Sequence, residues 1–234
     1  MIKQKVAIIT AASKGIGAAC ARKLAQEDYK LVLFSRSDAI YALADELDAR
    51  PLKGSVASSQ DIHHLVNFTY EKYGRIDSLI VNTGHASRGD ILELTDAEWQ
   101  HGFELLLMQT VRLARLVAPI MKEQKAGSIV NISSFGAREP SADFPISSVI
   151  RSAVSSYTKL FATELAPFNV RMNSVLPGFV ETYPVDEETI NRIPMLRQGK
   201  SWEIASTVAY LASDQASYIT GQNIAIDGGM TKSI

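Results

Sequence analysis

Along the chain, short runs of β-branched and aliphatic residues alternate with longer segments whose apolar residues recur every three or four positions. "KVAIIT", "KLVLFS" and "SLIVNT" are runs of the first kind, followed by "GAACARKLAQE", "IYALADEL" and the stretch from Asp96 to Gln124. Runs with little alternation suit strands buried on both faces, and helical segments between them make βαβ units. The rhythm continues through "GSIVNISS", a helix from about Ser147 to Leu165, "VRMNSVLP", a helix around "WEIASTVAYLAS" and a last strand "QNIAIDG". The pattern predicts an α/β fold: one doubly wound domain over 1–234, a seven-stranded parallel sheet with helices on both faces.

Three segments break the rhythm: "HASRGDILELT", "FGAREPSADFP" and "GFVETYPVDEETINRIPMLRQGK". Each follows a strand, which places it beyond the carboxyl ends of the sheet, where open α/β folds bind ligands. The last, rich in proline and charge, is the expected substrate lid, around 179–200.

Composition narrows the partners. With 24 Lys and Arg against 25 Asp and Glu, the formal charge of −1 gives no reason to expect a nucleic acid or an anionic membrane. No metal site is expected either. Cys20 is the sole cysteine, so no internal disulfide forms, and its apolar helical setting suits a core residue. The opening "MIKQKVAIIT" has too short an apolar run for a signal-peptide core or a membrane span, and the expected location is cytoplasmic.

"TAASKGIG", Thr10 to Gly17, joins the first strand to the first helix. Gly15 and Gly17 allow a tight turn and close approach to a pyrophosphate, which the helix N-terminus favours. After the second strand, Ser35 stands where an acid would hold the ribose hydroxyls of NAD, and Arg36 follows it. Arg36 and Lys14 suit a 2′-phosphate that an acid would repel, so NADP(H) is preferred over NAD(H); Asp38 is the alternative ribose partner.

With "TAASKGIG", "VNTGH", "GSIVNISS", "LPGFVET" and "YITGQNIAIDGG" in order from about Val6 to Met230, the chain resembles the short-chain dehydrogenase/reductase family. The likeness is strongest to the branch around the 3-oxoacyl-acyl-carrier-protein reductases. It implies a single Rossmann domain, NAD(P)-dependent reduction of a carbonyl or oxidation of an alcohol, and a homodimer or homotetramer. Thr10, Ser13, Lys14, Gly15, Ile16 and Gly17 match the diphosphate loop, with Ala11 in place of its first glycine, a change suited to a turn of negative φ. Ser55 and Val56 match the adenine side; Asn82 matches the first residue of the motif bordering the cofactor, which Thr83 and Gly84 continue with departures. Pro177, Gly178, Val180 and Thr182 match the loop that holds the carboxamide.

The catalytic centre departs from the family's Asn-Ser-Tyr-Lys tetrad. Ser134 matches the serine; thirteen residues on, the tyrosine position holds Ser147, and four further the lysine position holds Arg151. The asparagine position, counted from Trp99, falls on Leu106. Tyr157 lies about 280° around the helix from Ser147 and is expected to pack; Lys159 is expected in solvent. Phe144, at the tyrosine position of the enoyl reductase arrangement, has no proton to give. Arg151 can bind ribose hydroxyls but cannot relay a proton, and Ser147 is a poor acid. His85, beside the expected nicotinamide, and Tyr183, in the lid, are two further candidate donors. The readings are a carbonyl reductase taking its proton from His85, Tyr183 or water, an inactive NADP(H)-binding module acting through a partner, and another chemistry on the same scaffold.

Overall fold

The computed structural model describes residues 4–233; the other positions of the expected domain, including part of the charged opening, lie outside the described residues. Seven parallel strands run in the order β3-β2-β1-β4-β5-β6-β7. They are β1 (Val6–Thr10), β2 (Lys30–Ser35), β3 (Arg50–Lys53), β4 (Ser78–Val81), β5 (Gly127–Ile132), β6 (Val170–Pro177) and β7 (Asn223–Ile226). The chain moves outward from β1 to β3 and then returns to place β4 on the other side of β1. That reversal opens a crevice at the carboxyl ends of β1 and β4.

Period-two alternation assigns each strand residue to one of two cores. In β1, Ala7 and Ile9 face the core that α1 (Gly15–Gln26), α2 (Ala39–Glu46) and α8 (Ser201–Ala212) cover. Ile8 faces the opposite core, with residues of α3 (Ser59–Tyr73), α5 (Gln109–Gln124) and α6 (Pro145–Leu165). Both faces of the sheet are therefore covered, as the unalternating apolar runs predict. Cys20 is fully buried, and burial pushes its thiol up to about 12.

The stretch from Asp96 to Gln124 is not one regular helix. Between α4 (Asp96–Phe103) and α5 lies a π-helical turn, Glu104–Met108. It contains Leu106, and π turns are frequent where a helix serves a site. The segment expected to form the lid carries a short helix, α7 (Glu187–Asn191), and its two feet are joined by a parallel bridge between Val180 and Gly199. Among the described residues, no helix is long and apolar enough to cross a membrane.

Candidate functional site

The crevice is built first by hydrogen bonds that lock the end of β1 to that of β4. Thr10 donates its hydroxyl to the Asn82 carbonyl at 2.7 Å and accepts from the Asn82 amide at 2.8 Å. Asn82 donates its side-chain amide to the Ala11 carbonyl at 3.3 Å. These bonds fix the loop from Thr10 to Gly17, where a Cβ at Gly17 would lie 2.4 Å from the Ala11 oxygen. Only glycine lets the helix start this close to the strand. Lys14 occupies the N-cap of α1 without a side-chain cap, and no acid stands in the first turn. The free N–H groups of Gly15, Ile16 and Gly17 are therefore open to an anion.

One expectation here fails. Ala11 adopts φ +46°, in the left-handed region, so it keeps the backbone of the glycine it replaces rather than relaxing to negative φ. The bonds to Asn82 hold it there. The positive φ costs about 1–2 kcal/mol for a residue with a Cβ.

On the adenosine side, Ser35 donates to the hydroxyl of Ser13 at 2.9 Å and accepts from the Ser37 amide at 3.2 Å, so the serine in the acid position is held toward the loop. Arg36 and Lys14 are exposed and have no acidic partner among the described residues. Asp38, the alternative ribose partner, is paired with Lys53 at 2.6 Å. Ser55 donates its amide to Asp61, 2.8 Å away, a loop anchor that the motif pattern does not reveal. The Val56 side chain packs in the core, leaving only its backbone for a ligand.

The lid begins against this loop. A Cβ at Gly15 would lie 3.1 Å from Thr182 Cγ2, so Thr182 roofs the start of α1. Gly178 ties the end of β6 to β7 by donating to the Ile226 carbonyl at 3.0 Å, immediately after Pro177. The Val180 side chain is buried, and its carbonyl accepts from Gln198 Nε2 at 3.0 Å. Thr83 Oγ1, at the end of β4 beside Gly84, is buried without a partner. An uncapped helix start, a cradle that any Cβ would fill and an orphaned hydroxyl together fit a dinucleotide.

On α6, Ser147 and Arg151 stand one helical turn apart on one face. Arg151 is buried, donates Nε–H to Ser147 Oγ at 3.1 Å and Nη1–H to the Ile132 carbonyl at 2.9 Å. No carboxylate pairs with it among the described residues, and burial lowers its pKa to about 10, which still leaves it charged at neutral pH. Nη2 keeps its donors unused. Ser134 accepts from the Gly136 amide at 3.3 Å, which leaves its own O–H free to donate. Tyr157 packs against the core and Lys159 is exposed, as expected.

His85 and Tyr183 meet edge to face, with ring centroids 5.9 Å apart. Partial desolvation and the charges of Arg151, Arg88 and Lys14 hold the His85 pKa below its ordinary 6.5, although the residue is exposed. Arg88 lies between two rings, 4.5 Å from the centroid of Phe144 and 4.7 Å from that of Tyr183. Sequence reasoning missed this arginine. The three meet at a cavity of about 510 Å³ that Phe179, Asp143, Arg192 and the start of α7 also line. Arg138 and Arg197 are engaged elsewhere: Arg138 donates to the Asn223 carbonyl, and Arg197 holds Glu203 at 2.8 Å by both nitrogens.

Known proteins match this chain from end to end. A family model described as enoyl-(acyl carrier protein) reductase matches residues 10–231. The 3-oxoacyl-[acyl-carrier-protein] reductase FabG of Thermotoga maritima is 34% identical over 98% of this chain and 98% of its own length. The chain belongs to the short-chain dehydrogenase/reductase family. Within it, the chain is also 34% identical to the 7alpha-hydroxysteroid dehydrogenase of Bacteroides fragilis, over 98% of this chain and 95% of that one. The crystal structure of YwfH, titled an NADPH-dependent reductase involved in bacilysin biosynthesis, superposes with a TM-score of 0.94 at 29% identity, covering 99% of this chain and all of that one.

The family's asparagine position is the last piece. Leu106 sits in the π turn with its side chain buried in the core, and its carbonyl accepts from Thr110 Oγ1 at 3.3 Å. The helix distortion is present without a polar side chain on it. The run "ELLLM" is as apolar as an ordinary helix interior, so nothing in it signals the extra residue per turn.

Proposed function

We propose that the chain is an NADP(H)-dependent oxidoreductase that reduces a carbonyl, or oxidises the matching alcohol, with a proton path of its own. The observation that carries this reading is the Arg151–Ser147 pair, aimed from α6 at the end of β5 two residues before Ser134. The loop from Thr10 to Gly17, with Ser55, Val56, Asn82, Thr83 and Gly84, would hold the dinucleotide; Arg36 and Lys14 would pair with the 2′-phosphate beside Ser35. Nη2 of Arg151 would take the ribose hydroxyls, and Pro177, Gly178, Val180 and Thr182 the carboxamide. Bound NADPH would supply hydride.

Arg151 donates into Ser147 Oγ, so the serine proton turns away from the guanidinium and toward the cleft. Ser134, whose oxygen accepts from a backbone amide, is free to donate likewise. Two O–H donors backed by a buried cation favour negative charge on a substrate oxygen, the electrostatic half of carbonyl reduction. His85, Tyr183 or water then supplies the proton. Because the His85 pKa is lowered, its acid form is the minor one at pH 7, and a His85 path strengthens as pH falls.

The test is NADPH consumption with 3-oxoacyl thioesters, quinones and small ketones. Turnover with any, lost in Ser147→Ala, supports the reading. Tight NADPH binding with no turnover on all of them instead favours the binding-module reading, for which the joint replacement of Asn, Tyr and Lys by Leu106, Ser147 and Arg151 argues. The family resemblance further supports a cytoplasmic homodimer or homotetramer acting on a small molecule, which sedimentation of the purified protein checks.

A further inference from the structure

We propose that the cavity at the head of α6 takes a substrate whose carbonyl neighbours a carboxylate on a flat apolar body, and that Arg88 is the residue that recognises the acid. The proposal rests on the reductase reading and specifies its substrate class.

Arg88 is one of several arginines without a fixed polar partner among the described residues, as are Arg36, Arg50, Arg115 and Arg192, but among them it alone lies over aromatic rings. Arg22, Arg75, Arg112 and Arg197 each hold a carboxylate, and Arg138 and Arg171 each donate to backbone carbonyls. Among the described residues, Arg88 has neither kind of partner; its guanidinium touches the faces of Phe144 and Tyr183 instead. Contact with the two ring faces holds the guanidinium at the cavity and leaves its N–H donors without a protein partner. An unpaired guanidinium fork can bind a planar carboxylate through two parallel hydrogen bonds.

The position is as telling as the geometry. Phe144 is three residues before Ser147, so the clamp stands next to the group expected to polarise the carbonyl. Phe179 packs against Phe144 with ring centroids 6.3 Å apart, and both line the cavity with Tyr183, giving aromatic walls to an apolar body. Lys14, Arg88 and Arg151 all act on His85, and no acid counters them there. Three acids share the cavity: Asp143, Asp186 and Glu188. Two have their own partners, since Asp143 accepts from the Ser141 hydroxyl and Asp186 caps α7 by accepting from the Thr189 amide, with the Arg192 charge beside it.

The experiment is calorimetric titration of benzoylformate and of its methyl ester into the full chain saturated with NADP+, in which no reduction occurs. The acid should bind at least about tenfold more tightly than the ester, and Arg88→Gln should weaken the acid by about 10- to 100-fold while leaving the ester unchanged. Arg88→Lys should recover part of the loss. NADP+ affinity and melting temperature, measured on the same variants, should not move. Equal binding of acid and ester, binding of neither, an unaltered Arg88→Gln, or tighter binding of 2-aminoacetophenone hydrochloride, the cationic counterpart, would each overturn the proposal. Binding separates the two ideas: acid bound through Arg88 but never reduced sinks the reductase reading alone, whereas acid and ester bound and reduced alike sinks this one alone.

Discussion

Arg151 donates its Nε–H to the hydroxyl of Ser147, one helical turn earlier on α6, at 3.1 Å. The two residues that counting places at the expected lysine and tyrosine positions thus interact, with a guanidinium orienting a hydroxyl that is too weak an acid to give up its proton.

Restoring the acid should therefore accelerate turnover. Ser147→Tyr combined with Arg151→Lys is expected to raise kcat for ketone reduction by about 10²-fold, the usual contribution of a placed general acid. Ser147→Tyr alone should give much less, because Arg151 remains protonated and occupies the space below. Steady-state kinetics on the two variants checks this, and equal rates would show that proton supply does not limit the reaction.

Burying Arg151 unpaired should be felt in stability. Its folded pKa of about 10 lies below the ordinary guanidinium value, so folding disfavours the charged form. That penalty is complete at neutral pH and fades only as pH rises through and beyond 10. Arg151→Met removes the charge at similar length, and although two hydrogen bonds are lost, the melting temperature of the protein without cofactor should rise by about 2–4 °C. Differential scanning calorimetry decides, and a fall would mean that the bonds to Ser147 and Ile132 outweigh the burial of the charge.

For His85 the sign runs toward acid. Its folded pKa is depressed, so the imidazolium is populated only below pH 6.5. If His85 supplies the proton, kcat for reduction climbs as pH falls through that region, and His85→Ala flattens the profile. A profile identical in the variant would transfer the role to Tyr183 or water.

Cofactor choice should turn on Arg36. Arg36→Glu is expected to weaken NADPH by about 100-fold and to favour NADH in relative terms, since a carboxylate repels a 2′-phosphate and can accept from ribose hydroxyls. Fluorescence titration with both dinucleotides reads the switch. Asp38, the other acid nearby, pairs with Lys53 across the exposed surface.

Ala11→Gly should stabilise the fold by about 0.5–1 kcal/mol, because the backbone already sits at φ +46° where a Cβ is strained. Urea unfolding with an unchanged slope would register it. An unaltered midpoint would mean that the greater freedom of glycine in the unfolded chain cancels the relieved strain.

What the sequence makes legible here is whatever repeats or counts. β1 is readable because all five of its residues are buried and apolar or β-branched, and the positions of Ser147 and Arg151 follow from residue counts that a continuous helix preserves. Features that depend on exceptions or on distant partners are not readable. Alanine at position 11 argues against the left-handed conformation it adopts, and the π turn around Leu106 is written in residues that an ordinary helix would use equally well. Arg88 in "HASRGD" looks like a solvated loop residue until Phe144 and Tyr183, from the head of α6 and from the lid, close on it.

The bridge between Val180 and Gly199 has a consequence for how this enzyme scaffold can diversify. Gln198 and Lys200 on one foot also bind Val180, Tyr183 and Glu181 on the other, so the span between them is closed at its base independently of what it contains. Sequence drift or deliberate grafting is tolerated best over residues 184–191, because beyond them Ile193 is buried, the Met195 amide donates to the Gly228 carbonyl at 3.2 Å and Arg197 holds Glu203 of α8. The fold thus confines free variation to the half of this segment that lies between its closed base and Ile193.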